Sequence, residues 1–332
     1  MKHRAINDYL GVWLFILILL GGCAGKGTQG DAASALAYVV EADSPSAVRG
    51  AAPVFLVDHA ESSYNLIGSP QVAAGGRDEG DVAVDPGHPA VYAASYSFST
   101  GSGIYSNVVY RIHFAETPLE FFPFQLGAGR NVGLLVIVTC NRQGQPVLIT
   151  TLHTCGCYLA FVPTSFLAAG AYPDGWPAGG RQWVFGQSLP SLLDYDSHDL
   201  ARMRIVFRIA GASHRIRDIR LDDGTPMAGV PSLAIPLKPM ADLENISAGD
   251  GRVVSFYETA GARAGYVRNS GKIWERLLIS WWALDWRVGE DKRFAPGEND
   301  GPVFYTSLKP WARQESDLRD FPGFLRYWGW KL

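Results

Sequence analysis

A basic excess is the first thing this chain lacks. Its 29 Lys and Arg are outnumbered by 32 Asp and Glu, for a net charge of −3 at pH 7. Binding to a phosphate backbone needs clustered cations, so nucleic acid is not an expected partner. Beyond the first twenty residues, no uncharged apolar stretch approaches the roughly 20 residues of a membrane-spanning helix. No period repeats along the chain, which argues against solenoids and propellers. Cysteine is scarce, with four in 332 residues: Cys23, Cys140, Cys155 and Cys157. Sulfur chemistry is therefore confined to a few places, two of them almost adjacent. What is present is ordinary, since 47 % hydrophobic residues suffice for a real core.

The N-terminus carries an export pattern. Lys2, His3 and Arg4 give it a positive start, Leu10 to Leu20 is almost wholly apolar, and Leu20-Gly21-Gly22-Cys23 leads small residues into a cysteine. The apolar run is about half a spanning length, as in a cleaved leader. The arrangement resembles the lipobox of bacterial lipoprotein precursors. That resemblance implies removal of residues 1–22, acylation of Cys23 as the new N-terminus, and a lipid that holds the protein on a membrane while the rest stays in water. Ala24 in the following position, rather than Asp, implies the outer membrane of the cell envelope. Residues 23–50, rich in Gly, Ala and Ser, are expected to be the lipidated N-terminus and a flexible tether. Residues 51–332 are expected to form one β-rich globular part.

Alternation identifies the strands of that part. Val108, Tyr110, Ile112 and Phe114 share one face of an extended segment, and Val109, Arg111 and His113 share the other. Gly133 to Cys140 and Pro146 to Tyr158 are continuous apolar runs joined by Asn141-Arg142-Gln143-Gly144-Gln145, a hairpin apolar on both faces and so central in its sheet. Near the C-terminus, Ile273, Leu277, Trp281, Leu284 and Val288 fall at helical spacing. Asn269 or Ser270 is the expected cap of that helix and Gly289 its stop. The expected fold class is α+β: mainly antiparallel β, sandwich-like or a strongly twisted sheet, with one or two C-terminal helices packed on it.

Chemistry concentrates in Thr150–Tyr158. If that stretch is extended, His153, Cys155 and Cys157 project in one row from one face. An imidazole and two thiolates suit zinc or cuprous copper. His113 is the expected fourth ligand, and His59 is a weaker candidate. With the turn centred on Gln143-Gly144, Cys140 faces Val147, Cys155 faces Val132, and Arg130 lies opposite Cys157. Cys140 is then roughly 25 Å from Cys155 along the ladder, too far for a bridge, and reads as a buried structural thiol. Cys155 and Cys157 would sit at the edge of disulfide geometry, with Gly156 letting the backbone bend to close it.

A cysteine-dependent enzyme acting on envelope material is the second reading, with Cys155 or Cys157 as nucleophile and His153 and Arg130 as activating neighbours. Two enzyme resemblances stop short. Cys155-Gly156-Cys157-Tyr158 is similar to the Cys-Gly-Ser-Cys-Trp of papain-like proteases, but is one residue shorter and far from the start of the domain. Thr154-Cys155-Gly156-Cys157 is similar to the Ser-x-Gly-Cys of L,D-transpeptidases, but the Arg those enzymes carry soon afterwards is replaced by Tyr158-Leu159-Ala160. A structural or partner-binding lipoprotein is the third reading.

Two further groups have bland expectations. Trp281, Trp282, Trp286, Trp311, Trp328 and Trp330 are expected in the core, the alternative being a sugar-binding platform. Asp285, Glu290, Asp291 and Glu298, interleaved with Arg287, Lys292 and Arg293, are expected to form a solvated, salt-bridged surface.

Overall fold

The computed structural model describes residues 34–41, 52–73, 81–121, 124–177, 179–195, 200, 202–223, 229–248, 251–296 and 301–332. The leader, Cys23 and most of the expected tether lie outside the described residues, as does Glu298. In chain order the strands are β1 (Leu36–Val40), β2 (Val54–Val57), β3 (Ile67–Val72), β4 (Val82–Asp85), β5 (Val91–Thr100), β6 (Gly103–Thr117), β7 (Gly129–Cys140), β8 (Pro146–His153) and β9 (Ala160–Pro163). They continue with β10 (Arg181–Val184), β11 (Gln187–Pro190), β12 (Arg204–Ile209), β13 (Ile216–Asp222), β14 (Ser232–Ile235), β15 (Leu237–Pro239), β16 (Ile246–Ser247) and β17 (Val253–Val254). Three short helices follow: α1 (Ile273–Leu278), α2 (Ser280–Ala283) and α3 (Phe321–Tyr327).

The large sheet runs β15-β5-β6-β7-β8-β9, with β3 and β4 branching from β6, and a second sheet runs β13-β12-β2-β1-β14. The fold is α+β with 42 % strand, mostly antiparallel. Leu36–Val40 belongs to the second sheet rather than to a tether. Its partner β2 is antiparallel, and β14 pairs with it in parallel. An apolar Leu-Ala-Tyr-Val-Val run gains more by entering a sheet than by staying in water.

The large sheet is the middle of three layers. On one face Tyr110, Ile112, Leu134, Val136 and Ile149 pack with Tyr38, Phe55, Ile205 and Phe207 of the second sheet. On the other face Val109, Leu135, Ile137 and Leu152 pack with Phe256, Phe294, Phe304, Phe321, Phe324 and Trp330 from the C-terminal third. Hence β7 and β8 are apolar on both faces. The register follows the expected hairpin from Leu134 opposite His153 to Thr139 opposite Leu148. A bulge at Thr139/Cys140 then sets Cys140 against Pro146 instead of Val147. Cys140 is a free, buried thiol, and burial pushes its pKa up to about 11.

The expected helix over 273–288 is two short helices, α1 and α2, and its orientation is inverted. Most of the stripe assigned to the core faces water, with Ile273 and Leu277 59 % exposed and Trp281 and Leu284 72 % exposed; only Val288, past the end of α2, is buried. Trp282, Trp286 and Trp311 are exposed as well, whereas Trp330 is in the core. The buried side consists of Lys272, Glu275, Ser280 and Ala283. Its cap is Lys272 rather than Asn269 or Ser270, and Leu284, at φ +50°, ends it before Gly289. A polar, charged face turns inward because its partners are charged, as the site below shows.

Candidate functional site

The sequence row of His153, Cys155 and Cys157 does not exist as a strand face. Strand β8 ends at His153, and Thr154 to Cys157 form a turn closed by the Gly156 N–H on the His153 carbonyl (2.8 Å) and the His153 N–H on the Cys157 carbonyl (2.9 Å). The three residues nevertheless come together, with one ligand atom from each lying within 4.8 Å of the others. Cys155 and Cys157 are joined by a disulfide whose Cα atoms are 5.6 Å apart. That spacing is well inside the ordinary range, because the chain has left the extended conformation that would have stretched it.

Two glycines make the turn possible. Gly156 has φ +96°, and a Cβ there would lie 2.1 Å from the Tyr305 carbonyl oxygen. A Cβ on Gly133 would strike Thr154 Oγ1 at 2.6 Å. The turn is thus pressed onto Tyr305 on one side and onto β7 on the other.

Beneath it lies a cluster of charges with almost no access to water. Lys272 Nζ is 3.3 Å from Asp291 Oδ2, the two side chains being 1 % and 0 % exposed. Asp291 Oδ1 accepts a short hydrogen bond from Thr154 Oγ1 and a longer one, 3.4 Å, from the Gly133 N–H. The Asp291 N–H donates to Ser270 Oγ (3.2 Å). Lys292 Nζ donates to the carbonyls of Cys155 (2.9 Å) and Glu290 (3.2 Å) and lies 4.7 Å from the centre of the Tyr305 ring. The Lys292 backbone holds the turn from the other side, its N–H on the Thr154 carbonyl (2.9 Å) and its carbonyl accepting from Arg111 (2.8 Å).

Burial pulls Lys292 down to about 8, although Asp291 and Asp285 act against it. Burial also lowers Lys272, but Asp291 and Glu275 more than offset this and leave it above its ordinary value. Burial raises the Glu275 carboxyl, with Lys272 opposing. The expected solvated surface around Glu290, Asp291 and Lys292 is therefore a buried network. Lys272 and Glu275 enter it from the polar face of α1.

His153 lies on the opposite side of the large sheet. Its Nε2 is 3.0 Å from the His214 carbonyl, and its ring meets Tyr158 edge-on at 4.8 Å. A carbonyl only accepts, so Nε2 carries the proton and Nδ1 keeps its lone pair. Burial, reinforced by Lys272, holds this imidazole well below the ordinary histidine range and therefore neutral. Arg215 stacks 4.1 Å over the Tyr158 ring, and its Nη2 donates to Tyr158 Oη (2.9 Å).

Two expected members are elsewhere. His113 pairs with Gly133, whereas His153 pairs with Leu134, and that one-residue offset puts the imidazoles on opposite faces. His113 instead accepts from Arg111 Nε (2.8 Å) between the rings of Tyr92 and Phe256. It is no fourth ligand. Arg130 opposes Glu116 across β6 and is exposed. Strand β8 stops before it could bring Cys157 to Arg130. His59, largely exposed, hydrogen-bonds to Glu61 (3.3 Å). The cationic neighbours are Lys292, Lys272 and Arg215, which are distant in sequence and carry no local signal.

The chemistry available follows from these positions. Cys155 is buried and Cys157 half-buried, and the Cys157 N–H donates to Cys155 Sγ (3.4 Å). Zinc or copper fits the three donors only when the bridge is open, since a disulfide sulfur is not a thiolate. No known family model matches the chain, and no curated protein or solved structure is significantly similar to it.

Proposed function

We propose that this is a lipid-anchored envelope protein whose Cys155–Cys157 pair is a reversible redox centre. The carrying observation is a bridge that spans only two positions yet is built on a buried ionic network. As a staple it does little: closing three residues restricts the unfolded chain by about 1.5 kcal/mol, roughly half the value for a fifteen-residue loop. Burying four charges beneath it has a desolvation cost that packing alone does not recover. Groups of this kind cluster where chemistry is done.

The reaction that fits is exchange with an external dithiol. Its thiolate attacks Cys157 Sγ, the half-buried sulfur, and the S–S bond breaks. Cys155 leaves as a thiolate, held by the Cys157 N–H and by the positive field of Lys292. The second thiol of the partner, once deprotonated, attacks its own sulfur in the mixed disulfide and releases Cys157. Two electrons and two protons have then passed from the dithiol to the pair, and the partner has become a disulfide.

The test is asymmetry. Cys155→Ser leaves Cys157 as a lone thiol, expected to react with a soluble aromatic disulfide at least about tenfold faster than the lone Cys155 left by Cys157→Ser. Equal rates, or two inert thiols, would remove this reading. The attachment is tested apart from it: palmitate labelling of the full chain is expected to disappear with Cys23→Ser, and persistence of the label would exclude Cys23 as the acylated residue.

The gathering of His153, Cys155 and Cys157 within 4.8 Å favours a second reading of the reduced state, a three-donor site for one cuprous or zinc ion. Reduced protein is expected to bind one ion per chain, and His153→Ala to weaken it by about 10–100-fold. Uptake that Cys155→Ser leaves unchanged would place the metal elsewhere.

A further inference from the structure

The exposed apolar surface of α1 and α2 plays no part in the redox reading. Side chains that would form the core of an ordinary amphipathic helix point into water: Ile273, Leu277, Leu278, Trp281, Trp282 and Leu284. Leu284 does so from a left-handed backbone conformation, φ +50°, which a branched side chain adopts only at a cost. The surface is continuous with its neighbours. Trp274 touches the rings of Phe121 and Phe124 (centroids 6.1 and 5.6 Å), both exposed. Trp286 lies beneath the Arg276 guanidinium (5.4 Å), and Arg313 donates to the Ala283 carbonyl, which brings the exposed Trp311 segment alongside. A patch this rich in large apolar side chains marks a binding surface rather than ordinary exposure.

We infer that this patch lies on a lipid bilayer, its indoles at headgroup depth. Three observations choose a membrane over other occupants. The composition is that of interfacial segments, with Trp and Leu flanked by cations. Within residues 273–287 the exposed charge is Arg276, while Arg287 is half-buried over the Tyr266 ring (5.8 Å). Glu275 is buried, and Asp285, half-buried, accepts from Tyr305 Oη (2.7 Å). Lys309 and Arg313 add positive charge beside Trp311, while Glu116, Glu120 and Glu315 lie on adjoining segments.

The decisive observation is where the chain leaves the fold. Ser34, the first described residue, accepts from the Ala60 N–H (2.8 Å), and Leu36 opens β1 opposite Val57, the end of β2. Val57 pairs with Ile209, the end of β12. The same end of the molecule holds His214, whose ring nitrogens meet the Tyr64 carbonyl and Thr117 Oγ1. It also holds the β6–β7 crossing, where Thr117 pairs with Gly129. Lys272, at the head of α1, packs directly on Gly129. Ser34, the point to which the segment carrying Leu10–Leu20 and Cys23 is joined, thus lies at the end that bears the patch. A chain held at a membrane by its N-terminus, as proposed above, presents α1 and α2 to that membrane.

The inference rests in part on the attachment, and the experiment separates the two. Full-length protein is mixed with phosphatidylethanolamine–phosphatidylglycerol vesicles carrying brominated acyl chains, and flotation and tryptophan quenching are read together. Co-flotation with strong quenching is expected. Trp281→Phe combined with Trp286→Phe should remove about half of the quenched signal, two of the four exposed indoles of the patch, without changing flotation. Trp330→Phe, which changes a core indole, should leave the quenched signal intact. Flotation without quenching would keep the attachment and overturn the docking. Absence of both would overturn docking as well, because a patch of this kind should bind unaided. Quenching that the double variant leaves unchanged would overturn it too. Concentration-dependent self-association that shields the same indoles would assign the patch to a second copy of the chain.

Discussion

Asp291→Ala is expected to destabilise the protein by about 3–5 kcal/mol, because it takes from a buried ammonium its directly paired carboxylate and leaves only the more weakly acting Glu275. Lys272 Nζ, 3.3 Å from Asp291 and 1 % exposed, has no water to replace the carboxylate, and Thr154 Oγ1 and the Gly133 N–H lose their acceptor. Removing both charges behaves differently. Lys272→Met with Asp291→Leu should recover most of the loss, since apolar groups of similar size avoid the desolvation cost of both ions. Denaturant unfolding of the two single variants and the double variant forms a cycle that measures the coupling directly. An Asp291→Ala cost below about 1 kcal/mol would mean that water reaches the cluster.

Acid should be the other strong perturbation. His113, His153 and His214 are all buried and all held below the ordinary range by burial, His214 down to about 3. With a depressed folded pKa, the unfolded chain binds protons that the fold refuses. The contribution of each histidine is therefore intact above its unfolded pKa of about 6.5 and is lost as pH falls below it. For His214 the loss continues to about pH 3. At about pH 5 it amounts to roughly 2 kcal/mol for each imidazole still neutral in the fold, several kcal/mol for the three together. Glu275 and Glu290, raised by burial, work in the opposite sense as they take up protons, and they soften the lower end of the curve. Unfolding free energies measured from about pH 7.5 to pH 5 should fall steeply, and His214→Gln should flatten the slope. A flat profile would contradict buried, neutral imidazoles.

The parts of the molecule that sequence reading reached were those governed by nearest-neighbour geometry. The alternation of Val108–Phe114 and the two-faced hydrophobicity of β7 and β8 follow from a period of two and a sheet covered on both faces. The hairpin register matches from Leu134–His153 to Thr139–Leu148, and fails beside the turn, where a bulge sets Cys140 against Pro146. The same register, extended past His153, misplaced Arg130 and Cys155: strand ends are set by tertiary contacts, here the Tyr305 carbonyl against Gly156. The alternation of β6 places His113 on the correct strand, but nothing in it tells which face the Cys-Gly-Cys turn occupies, and the imidazoles of His113 and His153 lie on opposite faces.

The inverted helix was illegible for a different reason. Helical periodicity reports that one face is apolar, not that this face must be inside. Lys272 and Glu275 turn inward only because Asp291 and Lys292, nearly twenty residues away, supply opposite charges. The tryptophans of α2 are displaced outward by the same arrangement.

The central claim is that Cys155 and Cys157 exchange electrons within an intact fold. Its most direct measurement is an equilibrium titration of the full chain in thiol–disulfide buffers, counting free thiols by mass-adding alkylation while far-ultraviolet circular dichroism follows the fold. The expected result is two thiols appearing together in one two-electron step at a potential above about −300 mV, with the spectrum unchanged and Cys140 unlabelled. A bridge that stays closed at lower potentials, or opens only as the protein unfolds, would contradict the account and leave the disulfide a structural clip.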